Sequence, residues 1–590
     1  MRTKRYYALG IGIVFGISVL IWRLSSIQLL NTENYSKHHI NLIEESVAQR
    51  TQELVLNNGR GQFLDSTGKP LSYEDKNVLV LFPFLKNTTW KVDEVARILN
   101  ISQAELEGSI HSATKPFIYG GKHPIELNST QVNSINDLKI PGLFAVKKSF
   151  ASKENLAEDL IGFTSKNKKV YKELYPDRKD IDIPPIGATG LQKTFDEFLL
   201  PDGEAKLIYH VDGEGKPLFG NQVKYIEPAN PYYPVNIRTT IHSSLQKGME
   251  EVLRKDNVQK GGAVLLDIET GDVLAMASMP DRNPSDPYKN HGSVNYMLTQ
   301  ETPGSVFKTV VAAAAIEKGL VTSEETFPCD LDLYGKPAKR NLGTLNFEES
   351  FSQSCNRTFG GLANRVMDND QGAIESFAEK LGLIGDIGWH GDIYHLSDFH
   401  QLAMDNGRIF ISESNKKDHN FVAQTGIGQK DVSVTPLGVA NMMATIARGG
   451  EKKMAKVVSA IEYQNGTNMI DFPSKQAEGE VISPFTAMKL QQLLRKVVTG
   501  NKGTGKSFQT LPVQVSGKSG TAQTGNGDSY NKWFAGYFPY DKPKYSLVVV
   551  NLGVKENEGG INPIFSDLVQ MIYDQSSKGV LEALSNEKKM

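Results

Sequence analysis

The sequence predicts a mixed α/β (α+β) protein with one N-terminal transmembrane helix, and three observations predict it. An apolar run at residues 6–22, YYALGIGIVFGISVLIW, follows Arg2, Lys4 and Arg5. Further on, GGAVLLDIETGDVLAMASMP reads as two apolar strands joined by a turn at Glu269-Thr270-Gly271. From there to the C-terminus, helical and strand patterns alternate without any repeat of about 20–50 residues, which removes solenoid and propeller architectures. With 590 residues the chain exceeds what one hydrophobic core fills, so two or three domains are expected.

Taken in order, the N-terminal run is slightly short of the ~20 residues that span a bilayer. Snorkelling by Arg23 would let residues 24–30 complete the span. The basic flank keeps the N-terminus cytoplasmic and sends the rest of the chain outside as a single-pass cell-membrane protein. A cleaved secretory signal is the rival reading. No A-x-A-like site and no lipid-accepting cysteine follow the run, which favours an uncleaved anchor. NTENYSKHHINLIEESVAQR is expected as a helix leading away from the membrane. Residues 60–225 mix short apolar runs (NVLVLFPFL), helical patterns (VDEVARILN) and glycine-rich turns, with no chemical signature, and read as a spacer or interaction module. Within them GATGLQKTFDEFLLPDGEAKLIYHVDGEGK reads as a helix start followed by a hairpin with a glycine-containing turn. PANPYYP at 228–234 reads as a linker, NIRTTI as a short strand, and HSSLQKGMEEVLRK as a helix with serine in its first turn.

Composition excludes several function classes. Lys and Arg total 65 against 67 Asp and Glu, a net charge of -2, so no nucleic-acid partner is expected. Two cysteines, Cys329 and Cys355, cannot form a disulfide framework or a cysteine-rich metal site, while one bridge between them stays open. The 11 histidines lack H-E-x-x-H spacing, so no metal is expected. No P-loop or GxGxxG is present, so no nucleotide cofactor is expected.

Three short segments carry chemistry. In Thr302-Pro303-Gly304-Ser305-Val306-Phe307-Lys308 the residues after Gly304 open a run, TVVAAAAIEKG, that is apolar almost all round and should be a buried helix. Ser305 and Lys308, three apart, share a face of it. A serine hydroxyl needs an adjacent base, and a lysine in a dry pocket loses its proton readily enough to be one. The helix N-terminus adds a positive field that favours a developing anion. The second segment, Ser354-Cys355-Asn356, offers a proton-relaying hydroxyl and a substrate-holding amide, with Cys355 expected to point away from substrate. In the third, LPVQVSGKSGTA alternates as a strand; Lys518 supplies a positive charge, Gly520 permits close backbone approach, and Ser519 and Thr521 share a face on which to bind a carboxylate.

In this order, S-x-x-K, S-x-N and K-[ST]-G, the chain resembles the penicillin-binding proteins and serine β-lactamases. GAVLLDIETGDVLAMASMP, QTGIGQKDVSVTPLGVANMMATIARGG, WFAGYFP and NPIF resemble the transpeptidase domain of the former. RGQFLDSTGKPLS and GATGLQKTFDEFLLPDGEAK resemble the N-terminal region of class B members, although Ser66-Thr67 replace a common Arg-Asn and Gln192 a common Glu. The lysine-rich, low-arginine composition resembles sporulation-associated members from low-GC Gram-positive bacteria. The resemblance implies a five-stranded sheet flanked by helices. It also implies a division into tail and anchor (1–30), non-catalytic pedestal or dimerisation-like domain (31–232), transpeptidase domain (233–580) and C-terminal tail (581–590). It implies a peptidoglycan D,D-transpeptidase that acts on D-Ala-D-Ala stem peptides and is acylated by β-lactam antibiotics. Membrane-embedded cell-wall synthesis proteins would be its partners, and no sugar-polymerising activity is expected. Ser305 would be the nucleophile and Lys308 its base. Ser354 and Lys518 would shuttle protons, Asn356 would hold substrate, and the N–H groups of Ser305 and Thr521 would form the oxyanion hole. A D,D-carboxypeptidase, a β-lactamase and a non-catalytic β-lactam sensor or scaffold remain alternatives on the same frame.

Overall fold

The computed structural model describes residues 2–37, 40–152, 155–178, 183–212, 218, 223–227, 230, 232–525 and 527–577. The chain packs as two compact units that interleave along the sequence. One holds Met1–Arg60, Glu74–Phe150 and Pro201–Pro231; the other holds Gly61–Tyr73, Ala151–Leu200 and Tyr232–Met590. Residues 31–232 therefore contribute to both. The 581–590 tail, the glycine-rich turn at 213–217 and part of the PANPYYP segment lie outside the described residues.

In the first unit an α-helix, Arg2–Ser25, runs on as a π turn, Ser26–Leu30. Lys4–Leu30 is 27 residues long with mean hydropathy 1.9, and its most apolar stretch is wholly exposed. At 1.5 Å per residue it is roughly 40 Å long, apolar enough to cross a membrane. The polar stretch beyond it is helical only at Leu42–Arg50. Strand Ala205–His210 pairs antiparallel with Thr51–Asn57 and with Lys224–Ile226, the latter as the hairpin pattern anticipates. A second sheet, Phe117–Ile118, Tyr73–Leu81 and Leu143–Ala151, packs Leu79, Leu81 and Leu143 against Val95 and Leu99 of the helix Val92–Leu99.

The second unit is built on five antiparallel strands: β1 (Gly261–Asp267), β2 (Val273–Met279), β3 (Ser516–Gln523), β4 (Tyr530–Phe538) and β5 (Tyr545–Val554), in the order β2-β1-β5-β4-β3. Both faces are covered, so the strands are apolar on both sides, and period-two alternation sorts their residues into two cores. Leu265, Phe534, Leu547 and Val549 face helices α1 (Ser243–Lys255) and α6 (Ile561–Ser577), meeting Leu245, Met249, Phe565 and Leu568. Val264, Leu266, Trp533, Val548 and Val550 face the other core with α2 (Lys308–Glu317), α3 (Asn356–Asn369), α4 (Pro436–Ala447) and α5 (Pro484–Thr499). The turn at Glu269-Thr270-Gly271 joins β1 to β2 as anticipated, and α2 is buried from Lys308 to Ala315. The strand expected at LPVQVSGKSGTA begins only at Ser516. In register, residue 514 would face Pro539, which has no N–H to donate, so the ladder stops there.

Phe63 and Leu64 pair in parallel with Ile237 and Arg238, at the edge of a four-stranded sheet completed by Val458–Glu462 and Asn468–Asp471. The Asp65 carboxylate accepts from the N–H groups of Thr67 and Lys69 and from the Ser243 hydroxyl. This pairing draws residues 61–73 into the second unit.

Candidate active site

Ser305 lies half-buried in a 3₁₀ turn, Gly304–Phe307, that leads directly into α2, of which Lys308 is the first residue. That turn is docked on β3 through backbone. A Cβ on Gly304 (φ +57°) would come 2.4 Å from the Thr521 carbonyl oxygen, and one on Gly520 2.4 Å from that of Pro303. Only glycine admits such approach. Gly304 N–H donates to the Gly428 carbonyl at 2.9 Å. The Trp533 indole N–H donates to the Thr302 carbonyl at 3.0 Å, and the Asn531 amide to Glu301 at 3.0 Å.

Lys308 is fully buried. Its Nζ donates to the Ser354 carbonyl (3.0 Å), Ser354 Oγ (3.1 Å) and Asn356 Oδ1 (2.6 Å). Burial pushes its pKa well below the ordinary lysine value, and the nearby Lys518 and Arg340 charges push it the same way. Lys518, also fully buried, falls to about 7, first through burial and then through Arg340. Beneath both amines lies an aromatic pair: the Phe359 ring centroid is 5.8 Å from Lys308 Nζ, the Phe351 centroid is 5.7 Å from Lys518 Nζ, and the two rings meet edge-on at 5.7 Å.

The S-x-N segment is a helix-to-helix turn. The helix Phe347–Ser352 is closed by hydrogen bonds from Cys355 N–H to the Ser350 carbonyl (2.8 Å) and from Ser354 N–H to the Phe351 carbonyl (3.2 Å). This is a Schellman closure whose left-handed residue is Ser354 (φ 61°) where glycine is usual. Cys355 then caps α3, and Asn356 is the first residue of that helix. Cys329 and Cys355 are bonded to each other, with Cα atoms 5.8 Å apart, so the pairing left open by the sequence is made and no cysteine is free. The bridge ties the turn to the hairpin of Thr326–Pro328 with Thr344–Asn346.

On β3, Lys518 and Gly520 are buried, while Ser519 and Thr521 share the opposite face, half-buried and exposed respectively. Ser519 Oγ donates to Thr504 Oγ1 at 2.8 Å. The structure thus joins Lys308 to Ser354 and Asn356, and docks the Ser305 turn on β3. A direct Ser305–Lys308 hydrogen bond is not formed; among the described residues the Ser305 hydroxyl has no hydrogen-bond partner. Such contacts commonly tighten only in the substrate complex. Arg340, Phe351, Phe359 and Thr504 carry no local signal in the sequence; for Gly428 the signal is its QTGIGQ segment.

The profile of the penicillin binding protein transpeptidase domain matches residues 261–570, more than half of the chain. The chain belongs to the penicillin-binding protein transpeptidase family. Peptidoglycan D,D-transpeptidase PbpA of Mycobacterium tuberculosis is 26% identical over 377 residues, 58% of this chain and 72% of its own. Peptidoglycan D,D-transpeptidase FtsI of Buchnera aphidicola is 24% identical over 604 residues (95% and 93%), and that of Escherichia coli 22% over 569 residues (91% and 85%). These last matches take in the first unit as well and place this penicillin-binding protein in the class B branch. The same fold occurs in a solved structure described as "Structural coordination of polymerization and crosslinking by a peptidoglycan synthase complex", with TM-score 0.61, 22% identity, and 96% and 97% of the two chains covered.

Two predictions follow from this geometry. A lysine with a depressed folded pKa binds fewer protons folded than unfolded. Stability therefore rises with pH between about 7 and 10.5, by about 1.4 kcal/mol per pH unit. From pH 7 to pH 9, chemical denaturation of the wild type should gain about 2 kcal/mol over a Lys518→Met variant; an unchanged difference would give Lys518 an ordinary pKa. Ser354→Gly removes the hydroxyl while easing the left-handed backbone. It is expected to hold the melting temperature within a few degrees while slowing penicillin acylation by about 100-fold.

Proposed function

We propose that this penicillin-binding protein is a peptidoglycan D,D-transpeptidase that cross-links stem peptides through an acyl-enzyme on Ser305. The observation that carries this reading is the buried Lys308 amine, held by Ser354 and Asn356 one helical turn from Ser305. A neutral amine has two hydrogens and one lone pair. The Ser354 carbonyl and Asn356 Oδ1 can only accept, so they take the hydrogens and the lone pair is left for a hydroxyl proton.

Ser305 Oγ attacks the carbonyl between the two terminal D-alanines as Lys308 takes its proton. The oxyanion is held by the N–H groups of Ser305 and Thr521, each such donor lowering the barrier by about 3 kcal/mol. The C–N bond then breaks, and the departing D-alanine nitrogen receives a proton by way of Ser354 and Lys518. The amine of a second stem attacks the ester carbonyl, the C–Oγ bond breaks, and the proton returns to the serine. Asn356 holds the donor peptide, and Ser519 and Thr521 receive its terminal carboxylate. A β-lactam acylates the same serine by opening its ring amide. The N-terminal helix anchors the chain with its basic end in the cytoplasm, and the first unit offers the surface to membrane-embedded cell-wall synthesis proteins.

Ser305→Ala is expected to abolish the covalent penicillin adduct in intact-protein mass spectrometry without altering the melting temperature; a surviving adduct would remove Ser305 from the role. Lys308→Ala should slow acylation by about 10²–10⁴-fold in stopped-flow labelling, and near-normal rates would exclude it as the base.

A further inference from the structure

The hairpin of His390–Ile393 with Leu396–His400 shares no residue with the catalytic cluster. His390 and His400 are register partners across it, and their imidazoles stack with centroids 4.9 Å apart and planes 10° from parallel. The Asp398 carboxylate meets both rings: Oδ1 is 2.7 Å from His390 Nδ1, and Oδ2 is 3.3 Å from His400 Nε2. One ligand atom from each of the three residues falls within 4.8 Å of the other two. The far nitrogen of His390, Nε2, is buried without a hydrogen bond, and Asp386 Oδ1 faces it at 3.6 Å.

We propose that His390 Nδ1, His400 Nε2 and the Asp398 carboxylate bind one divalent transition-metal ion, zinc in preference. Two imidazoles and one carboxylate are the donor set of zinc, nickel and copper sites, whereas magnesium and calcium take oxygen donors. Zinc accepts three protein ligands and leaves a fourth position to water. Tetrahedral zinc with Zn–N near 2.0–2.1 Å brings its ligand atoms to about 3.3 Å from one another, so the set must contract by up to about 1.5 Å. One ring must also turn out of the stack, because two nearly parallel imidazoles do not aim their in-plane lone pairs at one point; the exposed side chains of Asp398 and His400 are free to make both adjustments. The ion takes the place of the ring hydrogens that face Asp398, and in each neutral imidazole that hydrogen then sits on the other ring nitrogen. Asp386 is then the outer carboxylate that accepts from His390 Nε2–H and fixes the ring.

The hairpin is also held firmly at its base. Trp389, next to His390, is buried with its ring 4.9 Å from that of Phe472 and its indole N–H bonded to the Pro473 carbonyl. Gln401, next to His400, is buried; its side chain accepts from the N–H groups of Val457 and Val458 and donates to the Val458 carbonyl. The donors thus stand on a pre-organised ribbon.

The test is equilibrium dialysis of the full chain, in detergent and without a polyhistidine tag, against zinc chloride, with cobalt(II) as a spectroscopic probe. The wild type is expected to retain one zinc per chain and, with cobalt, to show the intense visible bands of four-coordinate ligation. His400→Ala should weaken zinc binding by at least about 100-fold, beyond the roughly 10–100-fold typical of losing an outer-shell partner. Its penicillin labelling should equal that of the wild type, showing an intact fold and keeping this test separate from that of the transpeptidase reading. Absence of saturable zinc binding by the wild type, or wild-type affinity in His400→Ala, would overturn the site and leave a surface ion-pair network.

Discussion

The catalytic unit is organised around one amine removed from water. Lys308 stands at the head of a helix that is buried along eight consecutive residues, and among the described residues the charges that act on it, Lys518 and Arg340, are positive. A buried ammonium without a counter-charge costs several kcal/mol, so burial favours the neutral amine. Its polar contacts come from one short segment, Ser354 to Asn356, and its apolar cover includes Phe359 on the helix that this segment begins. Dehydrating the amine and placing the S-x-N turn are therefore a single packing event.

The second constraint is the close approach of backbone to backbone. Pro303-Gly304 meets Gly520-Thr521 and Gly428 with no room for a side chain at any of the three glycines. Three segments far apart in sequence are in this way locked to within ångströms of one another, the precision a nucleophile and an oxyanion hole require. Trp533 and Asn531, on the neighbouring strand β4, secure the residues just before the turn. The sheet thus acts on the site through its edge strand, while its two buried faces hold that strand in place.

What was legible in the sequence was whatever local pattern encodes. The apolar alternation of β1 and β2, the all-round apolar character of α2, the long N-terminal run and the order of the three motifs could each be read from neighbouring residues. What was not legible depends on distant partners. Nothing local marks Ser354 for the left-handed region, because serine there is disfavoured and is held by hydrogen bonds back to Ser350 and Phe351. The Cys329–Cys355 bridge needed geometry, since two cysteines 26 residues apart are compatible with either state. Residues 61–73 look like part of the preceding module, yet they leave it because Phe63 finds a parallel partner at Ile237. His390, Asp398 and His400 carry no helical metal-site spacing; only hairpin register brings them face to face.

The two buried lysines also bear on how acid and base roles divide in the proposed mechanism. Both amines lie in the same dry region, each lowered by burial and both facing the charge of Arg340. Charging either one raises the cost of charging the other, so the two amines are disfavoured from carrying a positive charge together. Lys308 has the additional burden of the Lys518 charge, which favours its neutral form further, while Lys518 falls to about 7. In the proposed mechanism such environments divide the roles: the neutral amine takes the serine proton, and the one that titrates near 7 returns a proton to the leaving group. Neither role needs a carboxylate, which suits a site whose substrate arrives with its own terminal negative charge and must find positive field and N–H donors at β3.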